Sequence, residues 1–103
     1  MPLLRGPTVE APGNFDYVEA AVARATGLTE LAIEARSKPD PDTFVYRLLT
    51  VGNEPGYLIV RRSNLGATAQ ASLGHHGSPE LEQALLDAFA QRFEALKDGK
   101  AVP

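Results

Sequence analysis

The sequence contains no cysteine, no tryptophan and a single methionine. Without cysteine, the chain can form neither a disulfide nor a thiolate metal site, and it has no thiol nucleophile. Its apolar runs fall well short of the ~18 residues that a membrane-spanning helix needs, and its first residues lack the apolar stretch of a signal peptide. We therefore expect a cytoplasmic protein without a membrane partner.

Basic residues are outnumbered, with 10 Lys and Arg against 13 Asp and Glu and a net charge of -3. This balance argues against a general binder of nucleic acid or anionic membrane, because such binding depends on neutralising phosphate charge. The 103 residues, 44% of them hydrophobic, suffice to bury one core. We expect one domain over residues 14–98, a flexible arm rich in Pro and Gly at 1–13, and a tail at 99–103.

Two segments have the hydrophobic periodicity of a helix. The first covers about residues 15–26, where Asn14 is a suitable N-cap and Gly27 a suitable C-terminal stop. The second covers about residues 79–97, where Ser78 stands as an N-cap before a proline at the first helical position. Apolar residues recur every three or four positions in both segments, which indicates that each helix buries one face.

Between the helices the period changes to two, which is typical of strands. Strands are predicted at 31–36, 43–51 and 57–62, and the alternating alanines of 67–73 fit a fourth. The segment between the first two strands holds two prolines and is predicted to be a turn. We predict an α+β two-layer sandwich: a helix, then a three- or four-stranded antiparallel meander, then a second helix, with both helices on one sheet face.

The strand at 43–51 is apolar on both sides, so one of its sides would remain uncovered by helices. An exposed apolar patch rimmed by charge is typical of a contact surface, and a twofold homodimer is the simplest way to cover it. Alternatively, arginine stems and the N-terminal arm could cover the patch within one chain. The predicted interaction face consists of Arg36, Val45, Arg47, Leu49, Val51 and one or both of Arg61 and Arg62.

Candidate catalytic residues are few. His75 and His76 are the only histidines, and adjacent histidines seldom converge on one metal ion, so no metal site is expected. They stand just before a helix start, where free amides can hold an anion, and so form a candidate anion or ligand loop, although Glu80 and Glu82 oppose a phosphate there. The simpler interpretation is that both histidines are polar loop residues without a ligand. The glycines match no phosphate-binding loop, and no serine stands in a nucleophile motif. We expect no cofactor, no catalytic residue and no enzyme.

The sequence therefore favours a small non-enzymatic protein-interaction domain that acts as a homodimer or as an assembly subunit. Its expected partner is itself or another protein. The alternative is a nucleic-acid-binding domain that uses an arginine-bearing sheet face. Residues 36–62 carry five cations against three acids, whereas the last helix is acidic. Five cations are few for binding a duplex, because affinity follows the number of phosphates neutralised.

The order helix, three strands, helix is similar to that of the double-stranded RNA-binding domain. Such domains place a lysine cluster at the start of their last helix. Here that stretch reads Ser78, Pro79, Glu80, Leu81 and Glu82, which would repel phosphate. The resemblance is confined to the order of the elements, and it implies no site residue in this chain.

Overall fold

The computed structural model describes residues 6–74 and 77–96. Along the chain, the elements are β1 (Thr8–Pro12), a 3₁₀ turn (Phe15–Tyr17), α1 (Val18–Leu28), β2 (Ala32–Asp40), β3 (Thr43–Leu49), β4 (Pro55–Arg62), β5 (Gly66–Leu73) and α2 (Pro79–Leu96). The α+β class is confirmed. Among these residues, no helix combines the length and the apolar character that crossing a membrane would take.

The sheet has five strands in the order β1-β5-β4-β3-β2, and every neighbouring pair is antiparallel. The sheet has at least one strand more than the three or four predicted, and the strand predicted at 67–73 is present as β5. The additional strand, β1, lies within the segment predicted to be an irregular arm. It pairs with β5 from Thr8 opposite Gln70 to Pro12 opposite Gly66. A proline is tolerated there because β1 is an edge strand, whose outer side has no partner strand to bind.

The core is a single cluster to which both helices and the sheet contribute. Its members include Val18 and Val22 of α1, Phe89 and Phe93 of α2, and alternate strand residues such as Tyr46, Leu48, Leu58, Val60, Ala69 and Ala71. Successive side chains of a strand point to opposite faces, so these residues place the core on one side of the sheet. The core positions of β5 are mostly alanines, whose small side chains let α2 lie close to the strand.

The ends of α1 agree only in part with the sequence prediction. Asn14 caps the 3₁₀ turn that precedes the helix, because its Oδ1 accepts a hydrogen bond from the Asp16 amide at 2.9 Å. The prediction that Gly27 ends the helix is wrong, since α1 continues to Leu28. The left-handed conformation that follows the helix is taken by Glu30, with φ of 59°.

Strand β2 forms the second edge of the sheet, and all nine of its residues are exposed. It continues through Pro39 to Asp40, beyond the predicted end, because an edge strand can hold a proline. Its pairing with β3 is irregular at two places, between Ile33 and Ala35 and between Ser37 and Asp40. Such irregularities shift the alternation of side chains between the two faces.

Candidate interaction face

The side of the sheet opposite the core is called the open face here. On β3, β4 and β5 it includes the following residues, which alternate with the core positions: Thr43, Val45, Arg47, Leu49, Tyr57, Ile59, Arg61, Thr68, Gln70 and Ser72. None of these residues belongs to the core cluster. Within residues 6–74 and 77–96, both helices pack on the other side. The open face is therefore the side of the sheet without a described helix, and its apolar residues are half-buried or buried.

Ile59 lies at the centre of the open face, on the middle strand of the sheet. It is opposite Val45 of β3 and Gln70 of β5, and Tyr57 and Arg61 flank it along β4. Although Ile59 is outside the core cluster, it is only 4% exposed. Val45 and Tyr57 are half-buried. The centre of this face is thus an isoleucine surrounded by side chains rather than covered by a helix.

The predicted interaction residues do not all lie together. Four of them are on the open face: Val45, Arg47, Leu49 and Arg61. Val51 is not, because β3 ends at Leu49 and Val51 lies in the following turn, 74% exposed. Arg36 and Arg62 lie on the core side of the sheet. The structure therefore groups the central apolar residues with two of the four arginines.

Arg36 and Arg62 both form ion pairs near the start of α1. The register irregularity in β2 turns Arg36 toward the helices, where it pairs with Glu19 of α1. The Arg62 Nε is 2.7 Å from the Asp42 Oδ1, and its guanidinium carbon is 4.5 Å from the centroid of the Phe15 ring. Arg36 thus links β2 to the first turn of α1. Arg62 links β4 to Phe15, in the 3₁₀ turn that precedes α1.

The charges on the open face balance. Arg47 lies 3.4 Å from Glu34 of β2, measured from Nε to Oε1. Glu10 of β1 is opposite Thr68 in the register and so faces the same side. Arg61 forms no ion pair with any residue that the structure describes. Two arginines are therefore offset by two glutamates, and the face has no dominant sign of charge.

His75 and His76, the predicted anion or ligand loop, lie outside the described residues. The adjoining part of the chain borders a cleft of about 220 Å³ between the β3–β4 turn and the start of α2, lined by residues that include Thr50, Glu54, Gly74, Gly77 and Ser78. Among the side chains that the structure describes, no three potential metal ligands come together.

Glu82 is a buried carboxylate whose role the sequence did not predict. Its Oε2 accepts a hydrogen bond from the Leu73 amide at 2.7 Å and another from the Ser78 amide at 3.3 Å. The carboxylate thus joins the end of β5 to the first turn of α2. The sequence offered one sign of the bond to Ser78, because Glu82 stands four residues after this predicted N-cap. The bond to the Leu73 amide could not be predicted, because it depends on how α2 packs against β5.

Tyr46 is the second buried polar side chain of interest, on the core side of β3. Its hydroxyl has no hydrogen-bond partner among the residues described. Burial raises the pKa of this hydroxyl well above its ordinary value, and the Glu19 carboxylate raises it further, while Arg36 lowers it. The phenol therefore stays protonated in the folded protein under strongly alkaline conditions.

Replacing Tyr46 with phenylalanine is expected to leave stability at neutral pH unchanged or slightly higher, because the lost hydroxyl has no partner. In the wild type, the unfolded phenol ionises near pH ~10 while the folded one stays protonated. Stability should therefore fall above that pH by about 1.4 kcal/mol per pH unit, and Tyr46→Phe should remove this part of the fall.

Urea unfolding at neutral and alkaline pH tests the role of Tyr46, with Tyr57→Phe controlling for the loss of a phenol on the open face. The expectation fails if Tyr46→Phe and the wild type lose stability equally above pH ~10.

The sequence has no significant match to a protein-family model or to a curated protein.

Proposed function

We propose that this chain is a non-enzymatic protein-interaction domain that associates with a second copy of itself through the open face. The observation that carries the proposal is the central strand, whose half-buried Tyr57 and exposed Arg61 flank the buried Ile59 on the side that neither described helix covers. Val45 and Leu49 extend this apolar centre onto β3. An apolar centre with a charged rim is typical of protein contact surfaces, and twofold homodimers are the commonest oligomers.

The distribution of arginines favours a protein partner over nucleic acid. Arg36 and Arg62 are engaged on the core side, and Arg47 is beside Glu34. Arg61 is then the one arginine of the predicted face that forms no ion pair within the described residues. Nucleic-acid binding depends on neutralising several phosphates. A face with balanced charge is better suited to a protein surface that is also close to neutral.

The area of the face limits the size of the interface that it can form. Strands about 4.8 Å apart and about 25 Å long give a five-stranded face of roughly 600 Å². Stable interfaces bury about 800 Å² of accessible surface on each partner. The face is therefore of the size expected for a weak dimer, so association should be measured up to high micromolar concentrations.

Replacing Val45 with glutamate is expected to weaken self-association at least about tenfold, because each interface would then bury two unpaired carboxylates. Val51→Glu is the matched control, since it introduces the same charge in an exposed turn away from the open face. Sedimentation equilibrium over a range of concentrations measures the effect, and circular dichroism checks that both variants fold.

Three results would count against the proposal. A wild-type chain that sediments as an 11.0 kDa monomer at every concentration would overturn self-association. Equal weakening by Val45→Glu and Val51→Glu would place the contact elsewhere. Retention on a single-stranded DNA column that falls with salt and disappears in Arg61→Ala would favour the nucleic-acid alternative.

A further inference from the structure

A shallow groove lies between α1 and α2 on their solvent-exposed side. Its volume is about 220 Å³, and the described residues that line it are Arg24 and Leu28 of α1 and Ala88, Gln91, Arg92 and Ala95 of α2. Residues three, four or seven positions apart share one face of a helix, so each helix presents a single stripe to this surface. We call it the helix groove.

The helix groove has an apolar part. Leu28, the last residue of α1, is 59% exposed. From α2, Ala88 is half-buried and packs against the core cluster, and Ala95 is exposed. Single exposed leucines are common on protein surfaces, but this one adjoins other apolar groups in a concave place. An apolar side chain seated there would be removed from water by contact with both helices.

The charge of the helix groove is of one sign. Arg24 contributes a guanidinium from α1, and Arg92 contributes one from α2. None of the lining residues that the structure describes is acidic, although the whole chain has 13 acids against 10 Lys and Arg. Arg24 takes part in none of the ion pairs among the described residues. The surface is therefore complementary to an apolar group flanked by carboxylates.

The size of the helix groove indicates the kind of molecule that fits it. Pockets for small molecules have volumes of about 300–1,000 Å³ and enclose most of the ligand. This groove is smaller, and it is open to solvent. It has room for one or two anchor side chains of a protein partner. Ala88 and Ala95 lie about 10 Å apart along α2, which is the length of two turns of a partner helix.

From these features, we infer that the helix groove binds an acidic amphipathic helix of a protein partner. Apolar residues of the partner, spaced three or four apart, contact Leu28 and the alanines. Carboxylates on either side of that stripe meet Arg24 and Arg92. Because the groove is on the helix side of the sheet, it does not overlap the open face. Binding there is therefore independent of the proposed self-association.

A partner helix accounts for the helix groove better than a phosphate-bearing surface does. Binding to nucleic acid or to an anionic membrane depends on the number of cations that contact phosphate. The described lining supplies two, one from each helix. An exposed leucine between them adds nothing to a phosphate contact, whereas it can anchor an apolar side chain of a peptide.

A designed peptide tests this inference. The probe is a helical peptide of about four turns, with leucines at i, i+3, i+4 and i+7 and two glutamates on each side of the leucine stripe. The control peptide has lysines in place of the glutamates. Titration of the ¹⁵N-labelled full chain, followed by NMR, gives both the affinity and the residues affected. The glutamate peptide should shift the amide signals of residues 24–28 and 88–95, and its affinity should fall with salt.

Paired variants separate the local charge from the net charge. Arg24→Glu should weaken binding of the glutamate peptide at least about tenfold, because a carboxylate would then face the carboxylates of the peptide. Lys38→Glu makes the same change of charge at an exposed position on the edge strand β2 and should weaken binding less than about twofold. Circular dichroism checks that both variants fold.

A second pair tests the apolar contact. Leu28→Ser should weaken binding at least about threefold, because the peptide leucines would lose their apolar partner. Val51→Ser removes an equally exposed kind of side chain from a turn outside the groove and should leave the affinity unchanged. Both replaced side chains are largely exposed, so the core stays intact.

Four results would overturn the inference. The first is no shift at residues 24–28 and 88–95 with up to about 1 mM peptide, a concentration at which even a weak contact is occupied. The second is equal binding of the lysine peptide. The third is equal weakening by Arg24→Glu and Lys38→Glu. The fourth is binding to phosphatidylserine vesicles that is lost in Arg24→Glu while the peptide does not bind, which would assign the surface to a membrane.

Discussion

Replacing Phe93 with alanine is expected to lower the free energy of unfolding by about 3–5 kcal/mol, because the buried ring would leave a cavity that the core can only partly fill. Phe93 is fully buried and stacks on Phe89, with 5.3 Å between the ring centroids. Its ring also lies against Gly13, where an added Cβ would come within 2.7 Å of the ring. The side chain therefore connects α2 to the segment between β1 and α1.

Thermal or urea unfolding measures the effect of Phe93→Ala. In a domain of about 100 residues, each 1 kcal/mol shifts Tm by about 4–8 °C, so a fall of at least about 12 °C is expected. Tyr17→Ala is the matched control, because this aromatic side chain at the start of α1 is 37% exposed. It should cost about 1 kcal/mol or less. Equal losses in the two variants would mean that the Phe93 ring does not anchor the core.

Replacing Glu82 with alanine is expected to cost about 3 kcal/mol, because two backbone amides would lose a charged acceptor in a buried place. The Leu73 amide ends β5, and the Ser78 amide lies at the start of α2. On the same side of β5, the Ala71 amide binds the Pro7 carbonyl. The carboxylate thus takes over the acceptor role of a neighbouring strand where β1 is no longer opposite.

Two further variants separate the hydrogen bonds of Glu82 from its charge. Glu82→Gln keeps an acceptor oxygen and should cost less than Glu82→Ala. Glu80→Ala removes an exposed acid from the same helical turn, where its attraction to the helix dipole contributes less than about 1 kcal/mol. Urea unfolding of the three variants gives the comparison. If Glu82→Ala were no more costly than Glu80→Ala, the two backbone bonds would not contribute to stability.

Periodicity and helix-capping residues together predicted both helices and four of the strands. The alternation in β2 is one of residue type only, because all nine of its residues are exposed. Even the alanine-rich β5 followed the alternation, despite the low strand propensity of alanine. The strand that the sequence did not predict, β1, has five residues and ends in a proline. Its stability comes from pairing with β5, which lies far away in the sequence. Local patterns cannot reveal a strand of that kind.

The candidate site was predictable only where alternation is unbroken. On β3 it places Val45, Arg47 and Leu49 on the side opposite the core, where they lie. On β4 it left open which of Arg61 and Arg62 shares that side, and the structure places Arg61 there. On β2 the register irregularity turns Arg36 to the core side. A bulge is a property of two paired strands and leaves no mark on the alternation of one. The bonds of Glu82 were unpredictable for a similar reason, since they depend on how α2 approaches β5.

The irregular pairing of β2 and the proline of β1 affect how large an assembly can grow. Regular edge strands are templates on which further chains can add, leading to fibrils. Here one edge has two breaks in its register, and the other ends in a residue without an amide hydrogen. In a face-to-face dimer with twofold symmetry, both copies bury the same surface, so no copy of that surface remains free to bind a third chain. The two edges therefore limit open-ended growth, and the proposed dimer would remain a closed pair at the high concentrations that its formation requires.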